Sequence, residues 1–181
     1  MTPPPGGCKV LPKAALIEKT TGVDRTPDDR YVVIHGRRWR ATDPAIPEAI
    51  HGELVHELAA ARRGVRAKEP DARARVQAAK VALGERGPKW WEEPTPEGRR
   101  VRLEAAVLAL SRSRAPDRTI CPSDAARAVC GKGWRTALDD ARSVIRSLAA
   151  DGHVDVLQRG VRVDPVGPWR GPVRVRWRSG A

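Results

Sequence analysis

Side chains able to do covalent or metal chemistry are few in this sequence and badly spaced for it. His51 and His56, in "HGELVHE", stand five positions apart. That is about 140° around a helix, so they do not clamp one metal ion as an i, i+4 pair does. Glutamate does not directly follow the first histidine, which separates the stretch from the HExxH metalloprotease pattern. The two read instead as exposed helical histidines beside Glu53 and Glu57. His153 follows Gly152 at a strand start and reads as a cap or surface group. Cys121 and Cys130 flank a short helix and read as small buried hydrophobes. Together with Cys8 they form neither a metal-ligand pattern nor a disulfide framework, which fits a reducing cytoplasm. Glycine clusters end helices, and none has phosphate-loop spacing. No catalytic, cofactor or metal site is assigned, and the chain reads as a non-enzyme.

Charge offers a different chemistry. The 181 residues hold 34 Lys+Arg against 22 Asp+Glu, a formal net charge of +12. Residues 95–181 contribute +8 of it and residues 1–94 only +4. A basic half of that size attracts polyanions, duplex DNA foremost. The plain alternative is an Arg- and Ala-rich composition set by codon usage, which the absence of Phe also fits.

The candidate DNA contacts lie on three elements. "GWRTALDDARSVIRSLAADG", residues 133–152, has the apolar spacing of an amphipathic helix with a glycine stop. Trp134, Ala137, Leu138, Ala141, Val144, Ile145 and Leu148 form its inner side. Arg135, Asp139, Arg142 and Arg146 then follow one exposed flank, and Thr136, Ser143 and Ser147 occupy the middle of the outer face. Asp139 is expected to be neutralised by Arg135 and Arg142, each such pair contributing about 0.2–0.5 kcal/mol. Asp140 is expected to lie alone on the opposite flank. The second element is a hairpin around Gln158-Arg159-Gly160, which presents Arg159 and Arg162. The third is "GPVRVRWRSG", where Val173, Val175 and Trp177 alternate with Arg174, Arg176 and Arg178, a half-buried strand with a basic outer face.

Other elements must position these. Residues 1–24 mix Pro, Gly, Lys and Thr without period and read as a mobile tail lacking a signal peptide's apolar core. "YVVIHGRRWRA" reads as a hairpin about His35-Gly36, pairing Val32 with Trp39. Val32, Ile34, Trp39 and Ala41 would form its buried side, with Arg38 and Arg40 on the other. A helix with Ile50, Leu54, Leu58 and Ala61 inward follows, its first turn at Pro44 or Pro47. A second, about 71–84, turns in Ala72, Val76, Ala79 and Leu83. Trp90 and Trp91 either finish this small core or pack between domains; base stacking is the other use of such a pair. Residues 94–98, with Pro94, Pro96 and Gly98, read as a linker. A helix over about 99–113 then points Val101, Ala105 and Leu108 inward. Thr119-Ile120 reads as a short strand, and Ser123 as the N-cap of a short helix, Asp124–Val129. "CGKG" is the turn into the third helix.

Helix, short helix, glycine turn, helix and β-hairpin is the order of a winged helix-turn-helix. The stretch "DRTICPSDAARAVCGKGWRTALDDARSVIRSLAADGHVDVLQRGVRVDP", with the later "RGPVRVR", is similar to a bacterial domain of unknown function with a winged-helix fold. "DRYVVIHGRRWRATDPAIPEAIHGELVHELAAARRGV", "ARARVQAAKVALGERG" and "WWEEPT" resemble the front half of its full-length relatives. The resemblance spans about residues 25–178 and implies a fold but no biochemical activity. Some relatives carry a Tol-type biopolymer-transporter label. That role needs a membrane-spanning helix, and no apolar run here approaches the roughly 18 residues required.

The expected fold is therefore α+β: a tail (1–24), a hairpin and two-helix module (25–93), a linker (94–98) and a winged-helix domain (99–181). Residues 95–181 are expected to fold and bind DNA alone, unless Trp90 and Trp91 seal a core shared by both halves. The function read from these features is regulatory DNA binding through the third helix and the wing. The alternative is a non-catalytic adaptor whose winged helix contacts a protein partner. Neither reading involves a cofactor or a membrane, and both place the protein in the cytoplasm.

Overall fold

The computed structural model describes residues 24–178; the tail expected over 1–24 lies outside it except for Asp24. The fold is α+β. Three short strands open it: β1 (Asp24–Arg25), β2 (Tyr31–Ile34) and β3 (Arg37–Arg40), antiparallel in the order β1-β2-β3. Val32 pairs with Trp39, the expected register, and His35 and Gly36 take the positive φ of the turn. Strand β1 was not foreseen; Asp24 pairs with Val33 and so does not belong to a tail. The hairpin has no buried side. Ile34 and Trp39 are 39 % and 44 % exposed, because the sheet stands off the helices and only Ala41, beyond it, is buried. The other face is fastened by aromatics: Trp91 packs edge-on against Tyr31 and Trp90, and the Trp90 indole donates to the Ala41 carbonyl at 3.0 Å.

Helices α1 (Glu48–Arg66) and α2 (Ala72–Ala82) pack against one another with the expected inward residues. Glu57 is 2 % exposed and takes two hydrogen bonds from Arg75, at 2.8 and 3.2 Å. These bonds, ahead of the opposing effect of burial, raise the Arg75 pKa.

Helix α3 (Pro96–Arg114) overturns the expectation that Pro94, Pro96 and Gly98 break any helix. Thr95 is its N-cap, with its hydroxyl accepting from Gly98 N at 3.0 Å. Pro96 takes the first turn, where a missing N–H costs nothing. Its inward residues also differ. Ala105 is buried and Leu108 packs partly against the core as expected, but Val101 is exposed, while Leu103, Ala106, Val107 and Leu110 are fully buried. The helix packs against α1, α2, α4 and α5, so it is buried on more than one side and no single stripe marks its inner face.

Helix α4 (Pro122–Cys130) starts two residues before the expected Asp124, so Ser123 lies inside it and does not cap it. Asp124 performs the capping by accepting from Cys121 N at 2.9 Å. Arg114 knits three helices together through Glu53 of α1 (2.8 and 3.1 Å) and Asp124 of α4 (2.8 Å). Burial works against the Arg114 charge, but the two carboxylates outweigh it and raise the pKa. At Gly131, φ is +50°, and a Cβ would come within 2.6 Å of the Ala45 carbonyl, so glycine alone fits this turn.

A 3-10 segment, Gly131–Ala137, leads into α5 (Leu138–Ala150). The final sheet comprises β4 (Val154–Gln158), β5 (Val161–Arg162) and β6 (Arg174–Trp177) in the order β5-β4-β6. Ile120 adds one antiparallel bridge to Val175, the whole of the strand expected at Thr119-Ile120. Val154, Val156, Val173 and Val175 face a core that runs unbroken from Ile46 in the first half to Val175 in the second.

Candidate nucleic-acid interface

The expected reading helix is shorter than its sequence pattern. Residues 131–137 form a 3-10 segment, so Arg135 and Thr136 precede α5 and do not lie on it. Thr136 is exposed, its hydroxyl donating back to the Gly133 carbonyl at 3.0 Å. Arg135 is exposed, and its guanidinium stands 4.7 Å from the centre of the Trp134 ring. Arg127 of α4 reaches the same ring at 4.6 Å, which gathers two cations at one end of α5. Lys132 is exposed in the same segment.

This shift explains Asp139 and Asp140. They occupy the first turn of α5 and not its middle. Carboxylates there complement the positive end of the helix dipole, typically by about 0.3–1 kcal/mol each. Their pairing is the reverse of the expected one. Asp139 forms no ion pair among the described residues, and Arg135 and Arg142 are engaged elsewhere. Asp140 is the paired acid, held by Arg99 of α3 at 3.3 Å. Ser143 is exposed beside that pair, at a shallow hollow it shares with Pro96 and Arg100.

Arg142 and Arg146 do not project freely from the helix. Arg142 Nη2 donates to the Gly171 carbonyl at 2.9 Å. Arg146 Nη1 donates to the Pro165 and Gly167 carbonyls at 2.9 and 2.8 Å, and its guanidinium lies 3.9 Å from the centre of the buried Trp169 ring. The two arginines fasten the 164–172 loop along α5. Asp164 tightens the loop by accepting from Val166 N, and the Trp169 indole donates to the Asp164 carbonyl. Sequence spacing put both arginines on an exposed flank because it could not show that a loop from beyond β5 returns to cover it.

The β4–β5 hairpin keeps its arginines available. Arg159 and Gly160 have φ of +50° and +82°, the two left-handed residues of a tight turn, and Gln158 pairs with Val161. Arg159 is exposed at the tip. Gln158 Nε2 donates to the Arg170 carbonyl at 2.7 Å, drawing Arg170 to the same cleft as Arg159 and Arg174. Among the described residues, no acidic residue lines that cleft. Its neighbours are less free. Asp155, nearly buried, sits between Arg162, with Nε 3.0 Å from Oδ1 but off the hydrogen-bond direction, and Arg176 at 3.4 Å. One carboxylate thus partly offsets two of the expected contacts.

The structure therefore sorts the ten candidates. Arg159 and Arg174 converge on one cleft; Arg135 and Thr136 stand together at the start of α5; Arg162 and Arg176 share Asp155; Arg142 and Arg146 hold a loop; Asp139 and Ser143 are exposed on α5. Sequence reasoning missed Arg170, Arg127 and Lys132. Of these, Arg170 had a signal, since "WRGP" places an arginine between a buried anchor and a turn.

Residues 100–178 match the model of a family described as protein of unknown function (DUF3253). The match takes in α3 from its second turn to the end of β6, and leaves the β1–β3 sheet, α1 and α2 outside. No curated protein matches the chain. Among the described residues, no helix is long and apolar enough to cross a membrane.

Proposed function

We propose that residues 96–178 form a winged helix that binds double-stranded DNA, and that the protein is a non-enzymatic regulator acting in the cytoplasm. The element order supports the fold reading: three helices, then a sheet in which Ile120 pairs with β6 and β6 pairs with β4. The observation that carries the function is the acid-free cleft at the wing, lined by Arg159, Arg170 and Arg174. Guanidinium groups without carboxylate partners at a turn are suited to phosphate, which accepts two parallel N–H bonds from one arginine. Arg135, Lys132 and Arg127 supply a second cationic point at the start of α5. In this reading the two points contact the duplex backbone, and Thr136, Asp139 and Ser143 are the side chains offered to base edges.

The test is a titration of the full chain with random-sequence duplex at two salt concentrations. Contact with four to six phosphates gives a slope of log K against log salt of about −4 to −5. Absence of binding at low salt defeats the proposal.

A second reading has one observation in its favour. Ile34 and Trp39 are exposed on one face of the hairpin, and exposed tryptophan flanked by arginine is a common anchor between proteins. An adaptor that meets a protein partner through that face would leave duplex affinity weak and independent of Arg159.

A further inference from the structure

We propose that the cavity between segment 88–95, the start of α3 and the end of α4 binds a small carboxylate with a flat apolar body. The cavity holds about 280 Å³. Ligand pockets run from roughly 300 Å³ upward, so this one admits little more than a single substituted ring. Pro88, Trp90, Pro94, Val129 and Cys130 supply the apolar wall. The Trp90 ring is fixed in place by its bond to the Ala41 carbonyl, so the wall exists before any ligand arrives.

The polar side has more donors than acceptors. Arg102 lines the cavity with its side chain only 7 % exposed. Among the described residues its one hydrogen bond is Nη2 to Asp43 at 2.8 Å, and its buried Nε has no acceptor. Arg99, one helical turn earlier on the same wall, bonds Asp140 through Nη1, and its buried Nε also lacks an acceptor. A guanidinium has five N–H groups, so each of these arginines has more to donate than its one carboxylate receives. Both lie in the first two turns of α3, at the positive end of its dipole. The lining acids do not answer this excess. Glu92 is paired with Lys89 at 2.6 Å, and Glu93 is exposed. The two Nε–H groups are themselves enclosed by protein. An incoming carboxylate is therefore met by the terminal N–H groups that the single carboxylate partners leave over, while its ring lies among Trp90 and the prolines. A phosphate would be a poorer occupant, since the apolar wall offers nothing to a tetrahedral anion's remaining oxygens.

The test uses the full chain with benzoate as probe and benzamide as its uncharged counterpart, following the Trp90 indole resonance. Benzoate should bind saturably with a dissociation constant below about 1 mM, at least tenfold tighter than benzamide. Arg99→Gln should weaken benzoate tenfold or more, and Val129→Phe, which fills the cavity, should abolish binding. Each variant is checked for an unchanged unfolding midpoint, so that either one suffices if the other fails to fold. No saturable benzoate binding, equal affinity for benzamide, or undiminished binding in a folded variant overturns the proposal. Duplex affinity enters none of these measurements, so failure here leaves the nucleic-acid reading untouched, and the converse holds.

Discussion

The Arg146 guanidinium lies 3.9 Å from the centre of the Trp169 ring and donates to two carbonyls of the same loop, so a residue expected on the exposed flank of the helix holds the 164–172 loop to α5. Stacking on tryptophan adds to these bonds, with such contacts contributing about 0.5–2 kcal/mol according to exposure. Arg146→Ala should therefore loosen residues 164–172 and speed their amide exchange. If the chain binds duplex DNA as proposed, affinity should fall because the loop that carries Arg170 is no longer positioned, while the salt slope stays unchanged. A slope reduced by about one would instead mean that Arg146 itself touches a phosphate.

Arg159 and Arg170 should behave differently. Neither has a carboxylate partner among the described residues, so each alanine substitution should remove one phosphate contact and reduce the salt slope by about one. The loss should be similar on every duplex sequence, and the unfolding midpoint should hardly move. Arg162→Ala should have a smaller effect, because Asp155 already offsets part of its charge. If Arg159→Ala and Arg170→Ala bind as the parent does, the hairpin is not a DNA wing.

The two acids of α5 can be separated in the same assay. Asp139→Ala removes a negative charge with no ion-pair partner among the described residues and should raise affinity for all duplexes. Asp140→Ala should raise it less, because Arg99 already neutralises that carboxylate, and it should release Arg99 at the neighbouring cavity. The stability cost of either is at most about 1 kcal/mol, since the pair is half exposed. Equal effects from the two substitutions would contradict the pairing.

How much of this was legible in the sequence depended on how many sides of an element are buried. Helices α1, α2 and α5 each present one apolar stripe, and their inward residues could be assigned from spacing alone. Strand β6 was equally plain, with Val173 and Val175 buried and its arginines exposed. Helix α3 packs on several neighbours, so its pattern is diffuse and Val101 was misassigned. The buried ion pairs were illegible for another reason. Glu57–Arg75 and Asp43–Arg102 join residues 18 and 59 positions apart, and nothing local marks an acid that will be buried; the half-buried pair Glu53–Arg114 spans 61. The candidate interface suffered from the same blindness, because Arg142 and Arg146 are claimed by a loop 19 to 29 residues downstream.

Cys130 offers a check by reactivity. Burial, the leading cause, raises its thiol pKa above the ordinary value. Less thiolate is then present near pH 8, and iodoacetamide should modify Cys130 more slowly in the folded chain than in urea. The same shift has a sign for stability. A group protonated more readily when folded stabilises below its unfolded pKa, about 8.5, and that contribution is lost as pH rises through the raised folded value. Cys130→Ser should flatten this alkaline decline. Alkylation as fast in the native chain as in urea would contradict the burial.

The last prediction concerns whether the second half stands alone. Asp43, just before α1, accepts from Arg102 of α3 at 2.8 Å, and both side chains are buried. Glu53 of α1 holds Arg114 at the other end of the same helix. Residues 95–181 by themselves keep both arginines but lose both acids, together with the α1 and α2 surfaces that pack on α3. Arg114 keeps Asp124, so the larger loss is the cover over the apolar side chains of α3. Exposing each buried Leu or Val costs about 1.5–3 kcal/mol, and a few such losses match the whole stability of a small domain. The fragment should therefore bind a hydrophobic dye, lack near-ultraviolet circular dichroism and unfold without a cooperative transition. Arg102→Leu in the full chain should also be costly, by about 3–5 kcal/mol, since it leaves the Asp43 carboxylate buried without its cation. A fragment that unfolds cooperatively and binds duplex as tightly as the full chain would show two independent domains, and the continuous core from Ile46 to Val175 would then be contact without dependence.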